Sequence, residues 1–302
     1  MTFENKTILK GTIAISISAI LWGFDGVVLT PRLYNLDVGY VVFMLHLIPF
    51  VLMNIFLFKQ YAQLKLFIKQ DYITMILISS FGGVLGTISI VQALFLVNFQ
   101  HLSVVVLLQK LQPIFAILLA AVLLKEKIKK NFAVWASIAI IASYFLTFGF
   151  ELPKFQSNGD SKIIKASLFA VLAAFSFGSS TVFSKRFLLN HNFITATFYR
   201  YGFTTVIMFV YVLIFGKYAY FHDTTPVNWF YFIIIGLTTG SGAIFIYYYG
   251  LRRVKAIVAT ISELLFPISA IFFDYIFNDS LLSPIQLISA AIMVFAIIRL
   301  NS

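Results

Sequence analysis

Two ionisable residues in long apolar stretches of the sequence stand just before a proline. Glu263 comes four residues before Pro267, and Lys110 comes three residues before Pro113. A charged side chain at the centre of a bilayer costs about 2.5–3.5 kcal/mol on insertion scales, so such residues usually face protein or water and often have a function. If these stretches cross a membrane, Glu263 is predicted to bind substrate or to carry a coupling proton. The alternative is an ion pair that holds two helices together.

Both prolines are predicted to kink their helices. Proline has no amide hydrogen, so Pro267 cannot bond to the carbonyl of Glu263, and an unpaired carbonyl is expected there. Pro113 is expected to act in the same way beside Lys110. We expect Lys110 and Glu263 to pair with each other. The pair is either a permanent bridge or one that opens when an anionic substrate binds the lysine or the glutamate takes up a proton.

Three further ionisable residues lie in apolar stretches. Arg200 suits a bidentate contact with a carboxylate, either of a substrate or of Asp25 or Glu263. His46 could carry a proton near neutral pH, although a lone histidine is more often a packing group with its hydrogen bonds satisfied. Asp25 is predicted to join an ion pair or to bind a coupling ion. The alternative for Asp25 is simple hydration at a helix end.

Uncharged residues near these groups complete the predicted substrate contacts. Gln109 and Gln112 flank Lys110 and either hydrogen-bond a polar substrate or bond to a neighbouring helix. Trp22, three residues before Asp25, either forms a cavity wall or packs between helices. Two other groups are expected to be structural. They are an interfacial aromatic belt at Tyr247, Tyr248 and Tyr249, and a solvated cytoplasmic turn with orienting charge at Lys125, Glu126, Lys127, Lys129 and Lys130.

The composition excludes the soluble classes of protein. The chain of 302 residues is 61% hydrophobic and 18% aromatic, its mean hydropathy is +0.96, and only 11% of its residues are charged, against about 25% in a typical soluble domain. A soluble enzyme, a nucleic-acid-binding protein and a disordered chain are therefore excluded, and a polytopic membrane protein remains. There is no cysteine, and the four histidines are scattered. We thus expect no metal site, no cofactor and no catalytic residues.

Ten apolar runs are long enough to cross a membrane as helices, since about 20 residues span roughly 30 Å of hydrocarbon. They are 9–30, 38–58, 72–97, 102–124, 132–150, 164–184, 194–216, 228–250, 255–277 and 283–299. Most of the 22 Lys and Arg residues fall in segments that are cytoplasmic if the N-terminus is inside. We therefore expect a multi-pass protein of the cytoplasmic (inner) membrane with both termini inside and a retained first helix. The net charge of +11 then records orientation and indicates no nucleic-acid partner.

The sequence repeats itself at a spacing near 154 residues. The matches pair Gly82 with Gly236, Gly86 with Gly240, Pro113 with Pro267, and His46 with Arg200. We predict a first five-helix repeat at 1–150, a polar extracytoplasmic linker at 151–163 and a second repeat at 164–302. An odd helix number inverts the second repeat in the membrane, an arrangement typical of secondary transporters that bind substrate near the midplane. Gly82 with Gly86, and Gly236 with Gly240, are predicted mainly to allow close packing of helices.

The motifs resemble those of EamA-type carriers of the drug/metabolite transporter superfamily. The resemblance covers nearly the whole chain. It rests on three short motifs of the first half, Leu21-Trp22-Gly23, Leu111-Gln112-Pro113 and Leu123-Leu124-Lys125-Glu126, and on Leu265-Phe266-Pro267, which repeats the second of them in the other half. It implies a central cavity enclosed by helices one to four of each half, and export as the usual direction. Two features depart from the family: Asn278-Asp279, where many members have a glutamate, and Lys110 inside the fourth helix.

The sequence thus predicts a secondary transporter of a small polar organic metabolite, amino-acid-like or related. It is expected to export or exchange its substrate by alternating access. No Walker A pattern is present that would indicate ATP as the driving force. The alternatives are an intramembrane lipid-modifying enzyme, which needs clustered His, Asp or Glu, and a channel-like facilitator, which needs rings of charge. The expected partners are the substrate and the lipid bilayer; a monomer is expected, with a dimer as the alternative.

Overall fold

The computed structural model describes residues 3–97, 105, 108–109, 111–150, 161–278 and 283–300. All regular secondary structure in these ranges is helical. The α-helices are numbered in chain order: α1 (Phe3–Phe24), α2 (Val38–Leu57), α3 (Lys69–Ile78), α4 (Gly86–Leu96), α5 (Gln112–Leu123), α6 (Lys130–Phe148), α7 (Ser161–Leu188), α8 (Phe193–Ile214), α9 (Tyr220–Asp223), α10 (Pro226–Ile235), α11 (Ser241–Leu251), α12 (Ala256–Ser262), α13 (Leu265–Asn278) and α14 (Pro284–Leu300).

Seven helical segments of the described chain are long and apolar enough to cross a membrane. They are Lys6–Leu33, Val38–Leu66, Lys69–Leu96, Ile164–Leu188, Phe193–Ile214, Pro226–Leu251 and Ala256–Phe277. Three shorter apolar helices are Gln112–Leu123, Lys130–Leu146 and Pro284–Arg299. The seven segments correspond to seven of the ten apolar runs of the sequence. The count of ten membrane helices remains a prediction.

The second helix of each half begins with a side chain that caps its first amides. Asp37 accepts hydrogen bonds from the amides of Gly39 (2.9 Å) and Tyr40 (3.2 Å) at the start of α2. Asn192, which lies 155 residues later, accepts one from the amide of Ile194 (3.2 Å) at the start of α8. A side-chain oxygen at this position satisfies amides that have no partner within the helix. The spacing of the two caps matches the sequence repeat.

The third helix of each half contains a π-helical segment at its glycines. Ser79–Leu85 joins α3 to α4, and Gly236–Gly240 joins α10 to α11. A Cβ at Gly82 would lie 2.1 Å from Oγ of Ser180, so only glycine permits this close approach. Short π-helical segments often mark functional sites because they leave the regular backbone bonding pattern. A further π-helical segment, Asp25–Leu29, follows α1.

Each half packs its first helix on the third helix of the other half. Ser18 of α1 donates to the carbonyl of Ala243 (2.9 Å), while Asp25, further along the chain, accepts from Thr239 (3.0 Å). Contact positions rise along α1 and fall along the partner, so α1 runs antiparallel to α10–α11. In the same way Ser180 of α7 donates to the carbonyl of Ile78 (3.4 Å), and α7 packs along α3 and α4. The first and third helices of the two halves therefore form a contact surface between the halves.

Candidate functional site

Glu263 lies at a break in its helix. α12 ends at Ser262 and α13 begins at Leu265, with Pro267 as its third residue. The amide of Phe266 donates to the carbonyl of Glu263 (2.9 Å), so that carbonyl is paired, and the prediction of an unpaired carbonyl was wrong. The chain replaces the bond that Pro267 cannot make with a tighter turn. Glu263 therefore lies in the short segment between α12 and α13.

The Glu263 carboxylate joins both halves of the molecule. Tyr247 donates its hydroxyl hydrogen to Oε1 (2.5 Å), and Gln112 donates from Nε2 to Oε2 (2.6 Å). The Tyr247 hydroxyl also bonds to the hydroxyl of Thr181 (3.0 Å). Glu263 and Gln112 are only partly buried although both lie in apolar segments. A carboxylate in such a segment that keeps some exposure is best suited to face a polar cavity.

Aromatic rings lie against this carboxylate. The ring of Trp22 lies 5.3 Å from the ring of Tyr247, centroid to centroid, and Trp22 is partly exposed. Tyr247 and Tyr248 are both buried between the halves, so the prediction that they form an interfacial belt was wrong. Tyr249 differs from them, because its ring stacks under the guanidinium of Arg253 at 3.4 Å. Sequence reasoning therefore missed Tyr247 as a direct partner of Glu263.

Arg200 is buried and bonds to neutral partners. Its Nη1 donates to the hydroxyl of Tyr248 (3.0 Å), and its Nη2 donates to the carbonyl of Gly82 (3.1 Å) in the π-helical segment. Its Nε has no hydrogen-bond partner. Neither Asp25 nor Glu263 bonds to the guanidinium, contrary to the expected internal pairs. The unpaired Nε leaves one donor of a buried cation unsatisfied, which is costly without a partner.

Asp25 forms a second acidic group between the halves. It accepts hydrogen bonds from the hydroxyls of Thr30 and Thr239, both at 3.0 Å. Thr239 belongs to the π-helical segment of the second half, and Asp25 begins the π-helical segment that follows α1. Asp25 therefore bonds across the halves. The expectation of simple hydration at a helix end does not describe this arrangement.

Of the four remaining predicted site residues, the structure describes three. His46 is buried, its Nδ1 lies 2.8 Å from the carbonyl of Val42 in its own helix, and its ring lies 5.2 Å from that of Tyr201. Gln109 is partly buried. Lys110 lies outside the described residues, so its pairing with Glu263 remains a prediction. Pro113 is the second residue of α5, directly after Gln112.

No group of three or more His, Cys, Asp or Glu side chains that could hold a metal ion occurs among the described residues. The central polar groups instead comprise hydroxyls, one amide, two carboxylates and one guanidinium. Such a set can bind a polar organic molecule through hydrogen bonds and contact with aromatic rings.

Loop contacts tie the halves together at both ends of the helices. Asn228 bonds to Asn35 through both side-chain amides (3.0 and 3.2 Å) near the start of α10. At the same end, Lys217 donates to Asp37 (2.9 Å), and this bond raises the pKa of Lys217. At the opposite end, Asp71 lies 3.0 Å from His191. Residues of different halves therefore contact each other at both ends of the helices.

Glu126 also connects the halves. Its Oε1 and Oε2 accept hydrogen bonds from the amides of Ala256 (2.9 Å) and Ile257 (3.1 Å) at the start of α12. The buried Lys185 donates to the carbonyls of Leu251 (2.9 Å) and Arg252 (3.2 Å) at the end of α11. The expectation that Glu126 belongs to a merely solvated turn was wrong, because the carboxylate caps a helix of the other half.

Residues 9–148 and 164–302 both match the EamA-like transporter family. The chain belongs to the EamA-like transporter family. A curated relative from Fusobacterium nucleatum subsp. nucleatum, named riboflavin transporter ImpX, is 51% identical over 294 residues, which cover 97% of this chain and 98% of that protein. One solved crystal structure has a TM-score of 0.67 over 96% of this chain and 95% of the other at 16% identity, a likeness that shows the fold alone.

Membership of the EamA-like family confirms the resemblance seen in the motifs. Together with the seven apolar segments and the named relative, it makes this chain a multi-pass membrane transporter rather than an enzyme. The family matches the chain twice, in agreement with the duplication predicted from the spacing of the glycines and prolines. A transporter of this kind binds a small molecule within the membrane.

Proposed function

We propose that this EamA-like protein is a secondary transporter of riboflavin. The observation that carries the proposal is the carboxylate of Glu263, a partly exposed residue, held by Gln112 and Tyr247 between the two halves, with Trp22 packed against Tyr247. The name of the 51% identical relative supports riboflavin as the substrate, in place of the amino-acid-like solute expected from the sequence. Riboflavin joins a flat aromatic ring to a polar chain, and the site offers both aromatic and polar groups.

The proposed architecture has ten membrane helices in two inverted halves. It lies in the cytoplasmic (inner) membrane, with both termini in the cytoplasm. The halves are residues 1–150 and 164–302, and the linker at 151–163 lies outside the cytoplasm. The antiparallel packing of α1 on α10–α11 supports the inversion, since parallel repeats would place first and third helices side by side in one direction. The positions of the basic residues support the orientation.

In this proposal the groups around Glu263 contact the substrate directly. Glu263, Gln112 and Trp22 are the first contacts, while Gln109 and Lys110 extend the site along the chain that leads into α5. Lys110 pairs with Glu263 in one state and releases it in another. Pro113 and Pro267 mark helix breaks beside these residues, and such breaks allow polar backbone at membrane depth.

Arg200, His46 and Asp25 are proposed as the second part of the site. The Nε of Arg200 is buried and unpaired, so it would bond to a substrate carbonyl or hydroxyl only once the halves move apart. Asp25 links the π-helical segments of both halves and is the proposed coupling group, with His46 beside Arg200 as a further polar contact. Because Asp25 bonds to Thr239 across the halves, a change in its protonation or ion binding would alter their contact.

Transport by alternating access requires that the contacts at the two ends open in turn. The Asn35–Asn228 contact closes one end and the Asp71–His191 contact closes the other. We propose that the protein exports or exchanges its substrate and that it works as a monomer. Its proposed partners are the substrate and the lipid bilayer, with no nucleic acid.

Thermal unfolding of the purified protein tests the substrate. A ligand that binds only the folded state raises Tm by mass action, by an amount that grows with its concentration. Riboflavin is expected to raise Tm at concentrations where amino acids, nucleosides and sugars do not. A rise with an amino acid and none with riboflavin would contradict the proposal.

A further inference from the structure

Gln112, Glu263 and Tyr247 form a row of alternating hydrogen-bonding groups. The amide of Gln112 and the hydroxyl of Tyr247 are donors, and they approach different oxygens of the Glu263 carboxylate, at 2.6 Å and 2.5 Å. An ionised carboxylate only accepts hydrogen bonds. If Tyr247 turns its hydroxyl from Glu263 towards a molecule beside the row, then the second N–H of Gln112, the carboxylate and this hydroxyl present a donor, an acceptor and a second donor to that molecule.

We propose that this row recognises the pyrimidinedione edge of the riboflavin ring, an inference that rests on the proposed function. That edge presents a carbonyl, the N3–H group and a second carbonyl, which is an acceptor, a donor and an acceptor. The N3–H group donates to Glu263, while Gln112 and Tyr247 donate to the flanking carbonyls. Each group of the edge thus meets a group of opposite character.

The three side chains have the capacity for these bonds. The side-chain amide of Gln112 has two N–H groups, and one of them bonds to Glu263. Each oxygen of Glu263 can accept more than one hydrogen bond. Tyr247 has a single hydrogen, so it must turn from Glu263 to the flavin, while the Thr181 hydroxyl at 3.0 Å can still donate to Tyr247. Binding therefore exchanges bonds and leaves no member of the row unpaired.

The neighbouring ring fits a flat aromatic ligand. Trp22 is partly exposed and packs against Tyr247 at 5.3 Å between centroids. Aromatic pairs are stabilised beyond what the area that they bury would give. The hydroxyls of the ribityl chain are less selective partners for the row, because each hydroxyl both donates and accepts and so needs no alternating pattern.

The direct test compares riboflavin with 3-methylriboflavin, in which a methyl group replaces the N3 hydrogen, on the unmodified protein. Quenching of flavin fluorescence on binding gives Kd for both ligands in detergent. Loss of one hydrogen bond to a charged group predicts a Kd that is higher by roughly 10- to 100-fold for 3-methylriboflavin. Because the protein is unchanged, no defect of folding can produce this difference.

Two variants test whether Glu263 causes the difference in Kd between the two ligands. In Glu263→Ala the two ligands are expected to bind with Kd values within about threefold of each other, since the acceptor for N3–H has gone. In Asp223→Asn, which removes an exposed carboxylate, the difference is expected to remain as in the unmodified protein.

Two outcomes overturn different claims. Equal Kd values for riboflavin and 3-methylriboflavin in the unmodified protein overturn the recognition of the edge and leave the proposed function standing. Absence of riboflavin binding overturns the proposed function and this inference with it. An unchanged difference between the ligands in Glu263→Ala also overturns the role of Glu263.

Discussion

Asp71 Oδ1 and His191 Nε2 lie 3.0 Å apart, and this contact joins the third helix of the first half to the loop after the first helix of the second. Asp71 also accepts a hydrogen bond from the amide of Ile68 (3.0 Å) at the start of α3. Asn228 does the same at the start of α10, where it accepts from the amide of Thr225 (3.1 Å) and bonds to Asn35 of the first half. Asp71 and Asn228 thus play the same role: each accepts a hydrogen bond at the start of a third helix and contacts the other half. The two contacts lie at opposite ends of the helices.

Cross-linking these two contacts is expected to stop transport. The protein has no cysteine, so the pairs Asp71→Cys with His191→Cys and Asn35→Cys with Asn228→Cys introduce the only thiols. If the ends open in turn, a short bifunctional thiol reagent on either pair holds one end closed and abolishes riboflavin flux.

Each single-cysteine variant serves as the control, because the reagent cannot bridge one thiol. These variants are expected to keep their flux after treatment. Full flux through a protein that mass spectrometry shows to be cross-linked at either end would rule out alternate opening of these contacts.

Gly82→Ala is expected to destabilise the protein by about 1–3 kcal/mol, the usual range for overpacking. The added Cβ would lie 2.1 Å from Oγ of Ser180 and 3.1 Å from Nη2 of Arg200. Gly26→Ala is the matched control, since Gly26 also lies in a π-helical segment but a Cβ there meets nothing within 4 Å. Tm and denaturant unfolding measure both variants. An equal loss of stability in the two would show that the contact with Ser180 is not the cause.

Glu126→Ala is expected to lower stability by about 0.5–2 kcal/mol, the usual loss for a side chain that caps a helix. The carboxylate accepts two amide hydrogens at the start of α12, and a carboxylate there also interacts well with the helix dipole. Lys127→Ala, which truncates an exposed neighbour, is expected to change stability by less than about 0.5 kcal/mol. If the two variants unfold at the same temperature, the cap contributes nothing measurable.

The Lys217–Asp37 pair predicts a pH dependence at high pH. Its hydrogen bond raises the pKa of Lys217 above the ordinary value of 10.5, so the pair stabilises the protein while the lysine is charged. The contribution is present below pH 10.5 and is lost as pH rises through the raised pKa. It is expected to be at most about 1 kcal/mol because the pair is partly exposed.

Thermal unfolding of the unmodified protein and of Lys217→Met between pH 8 and pH 11.5 measures this contribution. The difference in Tm is expected to shrink towards zero at the alkaline end. A difference that grows with pH would give the opposite sign and reject the pairing.

The membrane-crossing helices were the most predictable part of the fold. The runs 38–58 and 194–216 correspond closely to α2 (Val38–Leu57) and α8 (Phe193–Ile214), because each is predominantly apolar and follows a capping residue. The break at Glu263 was indicated by Pro267. The π-helical segment Ser79–Leu85 was not predictable, since hydropathy does not distinguish the hydrogen-bonding patterns of helices.

The site was predictable only in part, because hydropathy does not show which face of a helix meets which neighbour. Glu263 and Gln112 were both selected from sequence, and their direct bond appears only in the structure. Tyr247 and Tyr248 were wrongly placed at the interface. Successive helical residues point about 100° apart, so three consecutive tyrosines cannot all face the lipid, and this spacing could have identified the inner ones.

Flux of radiolabelled riboflavin into proteoliposomes tests the central claim most directly, that Glu263 and its partners bind riboflavin during transport. The unmodified protein and Asp223→Asn are expected to transport riboflavin, whereas Glu263→Gln and Lys110→Met are expected to insert normally and lose nearly all flux. Absence of riboflavin flux through the unmodified protein, or full flux through Glu263→Gln, would contradict the account.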